Sequence, residues 1–313
     1  MVHRPLAAKR GFGENARAEG WGPVGAVRAL CPGGVEQLLF PAEECDGQAV
    51  DDKAQAAMDA AGRAALTNAE ARPVEIDGDV VTRPASEVSG TVHSYLRHLR
   101  GKGLECVPEP LAVDDDVETL QHLDGDSGGG GWSHQHGEQG LVSAARLLRT
   151  LHDAGRDWTP PPDAVWGARA VAGDDIVFCH GDPGPWNFVW RDQEAVGLID
   201  WDYLHPAPRL DDVAYALHWF GPLRRDQFVI DWHHFPVVPD RRRRVQAFVD
   251  AYGDLRPFDV ANAVTAVMRA TSDRMRDLAD TGQEPQRSWV ADGALDRDAA
   301  EIAWVHAHRS AFS

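Results

Sequence analysis

Between residues 73 and 155 the spacing of hydrophobic positions changes period several times. PVEI and VVTR flank the turn Asp77-Gly78-Asp79 and predict two short strands joined as a hairpin. In SGTVHSYLRHLRGKG, Val92, Tyr95, Leu96 and Leu99 fall at i, i+3, i+4 and i+7, the stripe of an amphipathic helix. Ser89 is its candidate N-cap, and Gly101 or Gly103 closes it. PEPLAV and VETLQHL, separated by Asp114-Asp115-Asp116, predict a second strand pair. The run DGDSGGGGWSHQHGEQG is too rich in glycine for regular structure and reads as a flexible boundary. Beyond it, GLVSAARLLRTLHDAG places Leu141, Ala144, Leu148 and Leu151 on one helical face.

Most of the remaining chain has helical spacing, including VQAFVDAYG, VANAVTAVMRATSDRMRDLAD and AAEIAWVHAHRSAF. The exception is IVFCHGDPGPWNFVWRDQEAVGLIDWD, where the short apolar runs IVFC, FVW and AVGLI each end at or beside charged or amide residues. Strands that deliver Asp and Asn to their ends present polar groups from a rigid support. The pattern predicts an α+β chain with three parts: an N-terminal extension over 1–65, a sheet with one helix over 66–123, and a mainly helical part over 124–313. Residues 51–66 read as an Ala-rich helix, and the first 50 residues show no clear period.

Charge and composition narrow the function. Against 49 Asp and Glu stand 31 Lys and Arg, a formal net charge of −18. Phosphate backbones and anionic lipid would be repelled, which argues against nucleic-acid and membrane partners and favours a cationic small molecule. Hydrophobic residues at 43% and charged residues at 26% are ordinary for a folded protein. No stretch of 18 apolar residues could cross a bilayer, and the N-terminus has no signal-peptide core. Four irregularly spaced cysteines without C-x-x-C suit a reducing cytoplasm.

The candidate chemistry lies in His180-Gly181-Asp182, Asn187 five residues later, and Ile199-Asp200-Trp201-Asp202. Two Asp and one Asn at loop ends supply the hard oxygens that Mg²⁺ prefers. HGDPGPWN followed by LIDWD resembles the catalytic loop and metal-binding segment of the aminoglycoside phosphotransferase and choline kinase family. That resemblance implies a two-lobed, protein-kinase-like fold and transfer of the γ-phosphoryl group of ATP to a hydroxyl of a small molecule. Asp182 would then orient the hydroxyl and take its proton, Asn187 and Asp200 would ligate Mg²⁺, and His180 would brace the loop. Asp202 would order the metal shell or bind the acceptor. In PRLDDVAYAL, Asp212 would anchor the catalytic loop from an apolar helix.

The likeness extends into GDVVTRPASEVSGTVHSYLRHL, with a departure. Most members hold the α- and β-phosphates with a Lys on this strand; here Arg83 is the substitute. Arg is a permanent cation with a planar fork suited to phosphate. The helix Glu that usually pairs with that Lys is also missing, and His93 stands near its place. LTNAEARPVEI, where a glycine-bearing phosphate loop is usual, contains no Gly; GFGENA at 11–16 follows no strand and is a chance match. The adenine base would meet the connecting segment Gln121, His122 and Leu123. The pairs His134/His136 and His233/His234 lack a third metal ligand and read as loop and surface histidines, and Arg241 to Arg244 as a solvated helix start. These departures leave a second reading open: a pseudokinase-like module that binds nucleotide or metabolite without transfer. A Mg²⁺-dependent phosphohydrolase is a third.

Overall fold

The computed structural model describes residues 74–114 and 116–312. The helix expected over 51–66, the GFGENA run and all of LTNAEARP lie outside them. β1 (Glu75–Asp77) and β2 (Val80–Pro84) form the expected hairpin, with Gly78 at φ +58° in the turn. β3 (Pro110–Val113) and β4 (Val117–Gln121) form the second pair. Antiparallel pairing of β2 with β4 joins the hairpins into one sheet of order β1-β2-β4-β3. Between them α1 (Ser89–Gly101) buries Val92, Tyr95, Leu96 and Leu99, the stripe read from the sequence. Ser89 does not cap this helix: its hydroxyl accepts from the Ser86 amide at 2.9 Å, and the helix begins at Ser89 itself.

α2 (Glu138–Gly155) buries Leu141, Ala144, Leu148 and Leu151 completely. The three apolar runs that follow are β5 (Ile176–Cys179), β6 (Phe188–Arg191) and β7 (Glu194–Leu198). A fourth strand, β8 (His205–Pro208), pairs antiparallel with β5 although two of its four residues are proline. Proline is tolerated there because only one neighbouring strand asks for hydrogen bonds. The rest is helical: α3 (Arg209–Phe220), α4 (Asp226–Asp231), α5 (Arg241–Tyr252), α6 (Val260–Asp280), α7 (Gln286–Ala291) and α8 (Ala294–Ala307). Asp273, Asp277 and Asp280 form the solvent face of α6. No helix of the described residues is long and apolar enough to cross a membrane.

Three expectations are corrected here. The glycine run is not a flexible loop: Gly128–Gln135 is a 3-10 helix pressed onto the segment after Asp182. A Cβ on Gly131 would lie 2.4 Å from the Pro185 carbonyl oxygen, so the close approach requires glycine. The histidine pairs divide: His234 is exposed as expected and His136 is half-buried, but the other member of each pair is not a surface group. His134 is buried, stacked on Trp190 and bonded through Nε2 to Asp126, while His233 is fully buried beside Trp219. Arg244 likewise turns inward from the start of α5 to donate to the Phe220 and His136 carbonyls.

Candidate active site

Three elements converge on the loop after β5. The β6–β7 hairpin pairs Phe188 with Leu198, and the Ile199 amide extends the ladder to the Asn187 carbonyl at 2.9 Å. Asn187 and Asp200 therefore stand side by side at the base of one hairpin. Asp200 sits at φ +65°, a left-handed conformation that Asp tolerates better than most residues. Trp201 behind it is 2% exposed, packed against Tyr95 of α1 and His180. This plug fixes the directions of Asp200 and Asp202 on either side.

The backbone of the loop after β5 is clamped from α3. Asp212, 1% exposed, accepts from the His180 amide at 2.6 Å, the Gly181 amide at 2.9 Å and His152 Nε2 at 3.0 Å. Burial opposes its ionisation, but His152 and the two amides hold its carboxyl below the usual range. Gly181 has φ +83°, and a Cβ there would lie 2.5 Å from the Tyr203 carbonyl oxygen. His180 donates from Nε2 to the Ile199 carbonyl at 2.9 Å and accepts at Nδ1 from the Asp182 amide at 3.2 Å. Both ring nitrogens are thus used in the neutral form, which suits a brace and leaves no proton to carry.

Asp182 is half-buried with both carboxylate oxygens engaged. Tyr215 donates its hydroxyl to Oδ1; Asn187 Nδ2 and Trp186 Nε1 donate to Oδ2 at 2.9 and 3.3 Å. Burial nevertheless pushes the Asp182 carboxyl above the ordinary carboxylate value, with the Tyr215 hydrogen bond opposing. A positioned carboxylate with a raised pKa is the form a general base takes. Asn187 commits its NH₂ to Asp182, which leaves its amide oxygen for a cation.

Arg83 lies across the cleft from β2. Its guanidinium donates from Nε to Glu118 at 2.7 Å, from one terminal nitrogen to Asp200 at 2.9 Å and from the other to Asp202 at 2.6 Å. Burial works against the charge, but Asp202, Asp200 and Glu118 together raise its pKa further above the range in which it could lose a proton. Glu118 is a partner of Arg83 that sequence reading missed. It faces Arg83 directly across the β2–β4 ladder and is held on its other oxygen by His93 Nε2 at 2.9 Å. The usual helix-to-strand ion pair is replaced by a chain from α1 through β4 to β2. Despite burial, the His93 hydrogen bond and then Arg83 keep the Glu118 carboxyl below its ordinary 4.5. Glu118→Gln is expected to cost about 1–3 kcal/mol at neutral pH, read from urea midpoints. The sign follows from the lowered pKa: the wild type's advantage is complete above pH 4.5 and fades as pH falls through the folded value.

The expected adenine contacts are less available. The His122 amide donates to the Asp79 carbonyl at 2.7 Å and the Gln121 amide to the Glu109 carbonyl at 2.8 Å, so both are spent inside the sheet. Leu123 packs against Gly197 of β7.

Residues 160–248, which carry this loop, match the phosphotransferase enzyme family. The trifolitoxin immunity protein of Rhizobium leguminosarum bv. trifolii is 32% identical over 195 residues, covering 60% of this chain and 73% of that protein. The chain belongs to the phosphotransferase enzyme family. Phosphoryl transfer is therefore its reaction class, and it is an enzyme of the small-molecule kinase type. The phosphotransferase is also similar to an amicoumacin kinase solved with AMP-PNP, Ca²⁺ and Ami, at 12% identity and a TM-score of 0.49 over 81% of this chain and 96% of that one. A macrolide 2'-phosphotransferase from Brachybacterium faecium gives 14% identity and a TM-score of 0.45 over 70% and 84%. The two-lobed α+β fold expected from the motifs is the one formed by the described residues, with the sheet and α1 on one side of Arg83 and the helical part carrying Asp182 on the other.

Proposed function

We propose that the enzyme moves the γ-phosphoryl group of ATP to a hydroxyl of a small molecule, with Asp182 as base and Mg²⁺ held by Asn187 and Asp200. The observation that carries this is the state of Asp182: oriented by three donors, raised in pKa, and set one residue from a backbone that Asp212 clamps. In the transfer, the acceptor oxygen forms a bond to the γ-phosphorus as its proton passes to Asp182. The bond from that phosphorus to the β,γ-bridging oxygen breaks, and its electron pair leaves with ADP.

The donor set fits a divalent cation. Asp200 is half exposed at 48% of its side chain, Asn187 has its amide oxygen uncommitted by the bonds to Asp182, and both offer the hard oxygens such ions select. The positive end of Arg83 at Asp200 marks the place as one that accepts a cation. Bound there, Mg²⁺ would neutralise charge on the ATP phosphates. With Asp200 given to the metal, Arg83 would keep Glu118 and Asp202 and have its remaining terminal nitrogen available to a phosphate oxygen.

Tyr215→Phe tests the base. Removing the hydroxyl that lowers the Asp182 pKa should move the acidic limb of the kcat/KM profile to higher pH, with the alkaline side unchanged. An acid limb that stays in place would reject Asp182 as the titrating group. A second reading is favoured by one observation: Arg83 already neutralises Asp200 and Asp202, as a pseudokinase-like binding module would allow. Labelled phosphate in an acceptor product distinguishes transfer from that reading, and free phosphate without acceptor distinguishes a hydrolase.

A further inference from the structure

The side chains around the acceptor side of Asp182 are aromatic. Trp186, which donates to the Asp182 carboxylate, lies 4.7 Å from Trp219 and 5.0 Å from Trp132, measured between ring centroids. Trp132 and Trp219 close the triangle at 5.8 Å. All three tryptophans are partly buried, as is Tyr215 on the same side, and the Trp219 Nε1 is fully covered. Partial burial is ordinary for Trp, but three of them gathered beside the base make one aromatic wall. Behind them, fully buried His233 stacks on Trp219, and both of its ring nitrogens lack a hydrogen-bond partner among the described residues. Both polar side-chain atoms of buried Gln135 are in the same state. These groups are buried, so the wall's contribution is its ring surface.

The cations in this region are the protein's own. Arg224 lies 4.3 Å over the Trp219 ring and donates to His218 Nε2 at 3.0 Å. Asp298 and Glu301 act on it at longer range, and Glu301 is itself paired with Arg225. Arg274 of α6 lies 3.9 Å over Tyr203 and has no ion pair among the described residues. A cationic ligand would have to share the Trp219 ring with the Arg224 guanidinium, with Arg274 close by over Tyr203. The net charge of −18 acts mostly from beyond a Debye length of about 8–10 Å and is screened, whereas these arginines act at contact range.

We propose that the acceptor is a hydroxyl compound that carries a flat aromatic or heteroaromatic ring and no cationic group, its ring seated on Trp132, Trp186 and Trp219 and its hydroxyl at Asp182. The proposal rests on Asp182 as the transferring base, and it replaces the cationic acceptor that overall charge favoured. Arg274 suits an anionic substituent on the same molecule.

The test titrates the full chain, saturated with Mg-AMP-PNP, with benzyl alcohol, hydroxymethylbenzoate, choline and kanamycin in a calorimeter. The two aryl alcohols should bind about tenfold more tightly than choline or kanamycin. Trp132→Ala and Trp219→Ala should each weaken them about tenfold, the usual worth of a lost stacking face, while Mg-AMP-PNP binding is unchanged. Arg274→Glu should shift preference toward choline. Equal or tighter binding of choline or kanamycin overturns the proposal, as does aryl binding untouched by both Trp variants. If Mg-AMP-PNP itself does not bind, the kinase reading fails and takes this proposal with it.

Discussion

Asp182→Ala is expected to lower turnover about a hundredfold to ten-thousandfold while Mg-ATP still binds. The carboxylate is the group to which Tyr215, Trp186 and Asn187 all point, so its removal takes away the proposed proton acceptor and the anchor of those three side chains together. Nucleotide affinity should largely survive, because Arg83 keeps Glu118, Asn187 keeps its side-chain bond to the residue-182 carbonyl and its backbone bond from the Ile199 amide, and Asp200 keeps the Trp201 plug. Asp182→Asn keeps the volume and should lose nearly as much, since an amide cannot take the proton. Kinetics beside nucleotide titration separates the two effects. Turnover unchanged in both variants would remove Asp182 from the mechanism.

Asp212→Ala should have the largest effect on the fold. One carboxylate, buried at 1% exposure, satisfies two backbone amides of the catalytic loop and His152, which in turn bonds to Tyr252. Alanine leaves those donors without an acceptor in a dry interior, at an expected cost of about 3–5 kcal/mol. Because the folded pKa is lowered, the stabilisation is present above the ordinary carboxylate value and lost as pH falls through the folded one. Urea unfolding at neutral pH gives the magnitude, and amide exchange at His180 and Gly181 gives the place. Asp212→Asn keeps an acceptor oxygen and should retain part of the stability. A variant as stable as wild type, with protected loop amides, would mean the clamp is not structural.

How much of this was readable depends on the distance over which each contact acts. His180 to Asn187 and Ile199 to Asp202 are short runs whose spacing carries their geometry, and the stripes of α1 and α2 follow from period alone. Trp186 lay inside the motif but occupied a spacer position, and only the fold turns its indole toward Asp182. Tyr215 was within reach: it stands three residues after Asp212 on a helix, so the face that clamps the loop also carries the hydroxyl. Glu118 was not, because its pairing with Arg83 spans 35 residues and depends on β2 lying next to β4, which neither hairpin predicts. The buried histidines escaped for a related reason, since aromatic stacking covers His134 and His233 through partners distant in the chain.

Thermal unfolding with and without Mg-ATP, with Asp200→Ala as the control, tests the central claim most directly. At nucleotide about a hundredfold above its dissociation constant, binding contributes about 2.7 kcal/mol, a rise on the order of 5 °C in a chain of this size. A Mg²⁺-dependent rise in the wild type that disappears in Asp200→Ala is the predicted result. No rise in the wild type, or an equal rise in the variant, would contradict the assignment of Arg83, Asn187 and Asp200 to Mg-ATP.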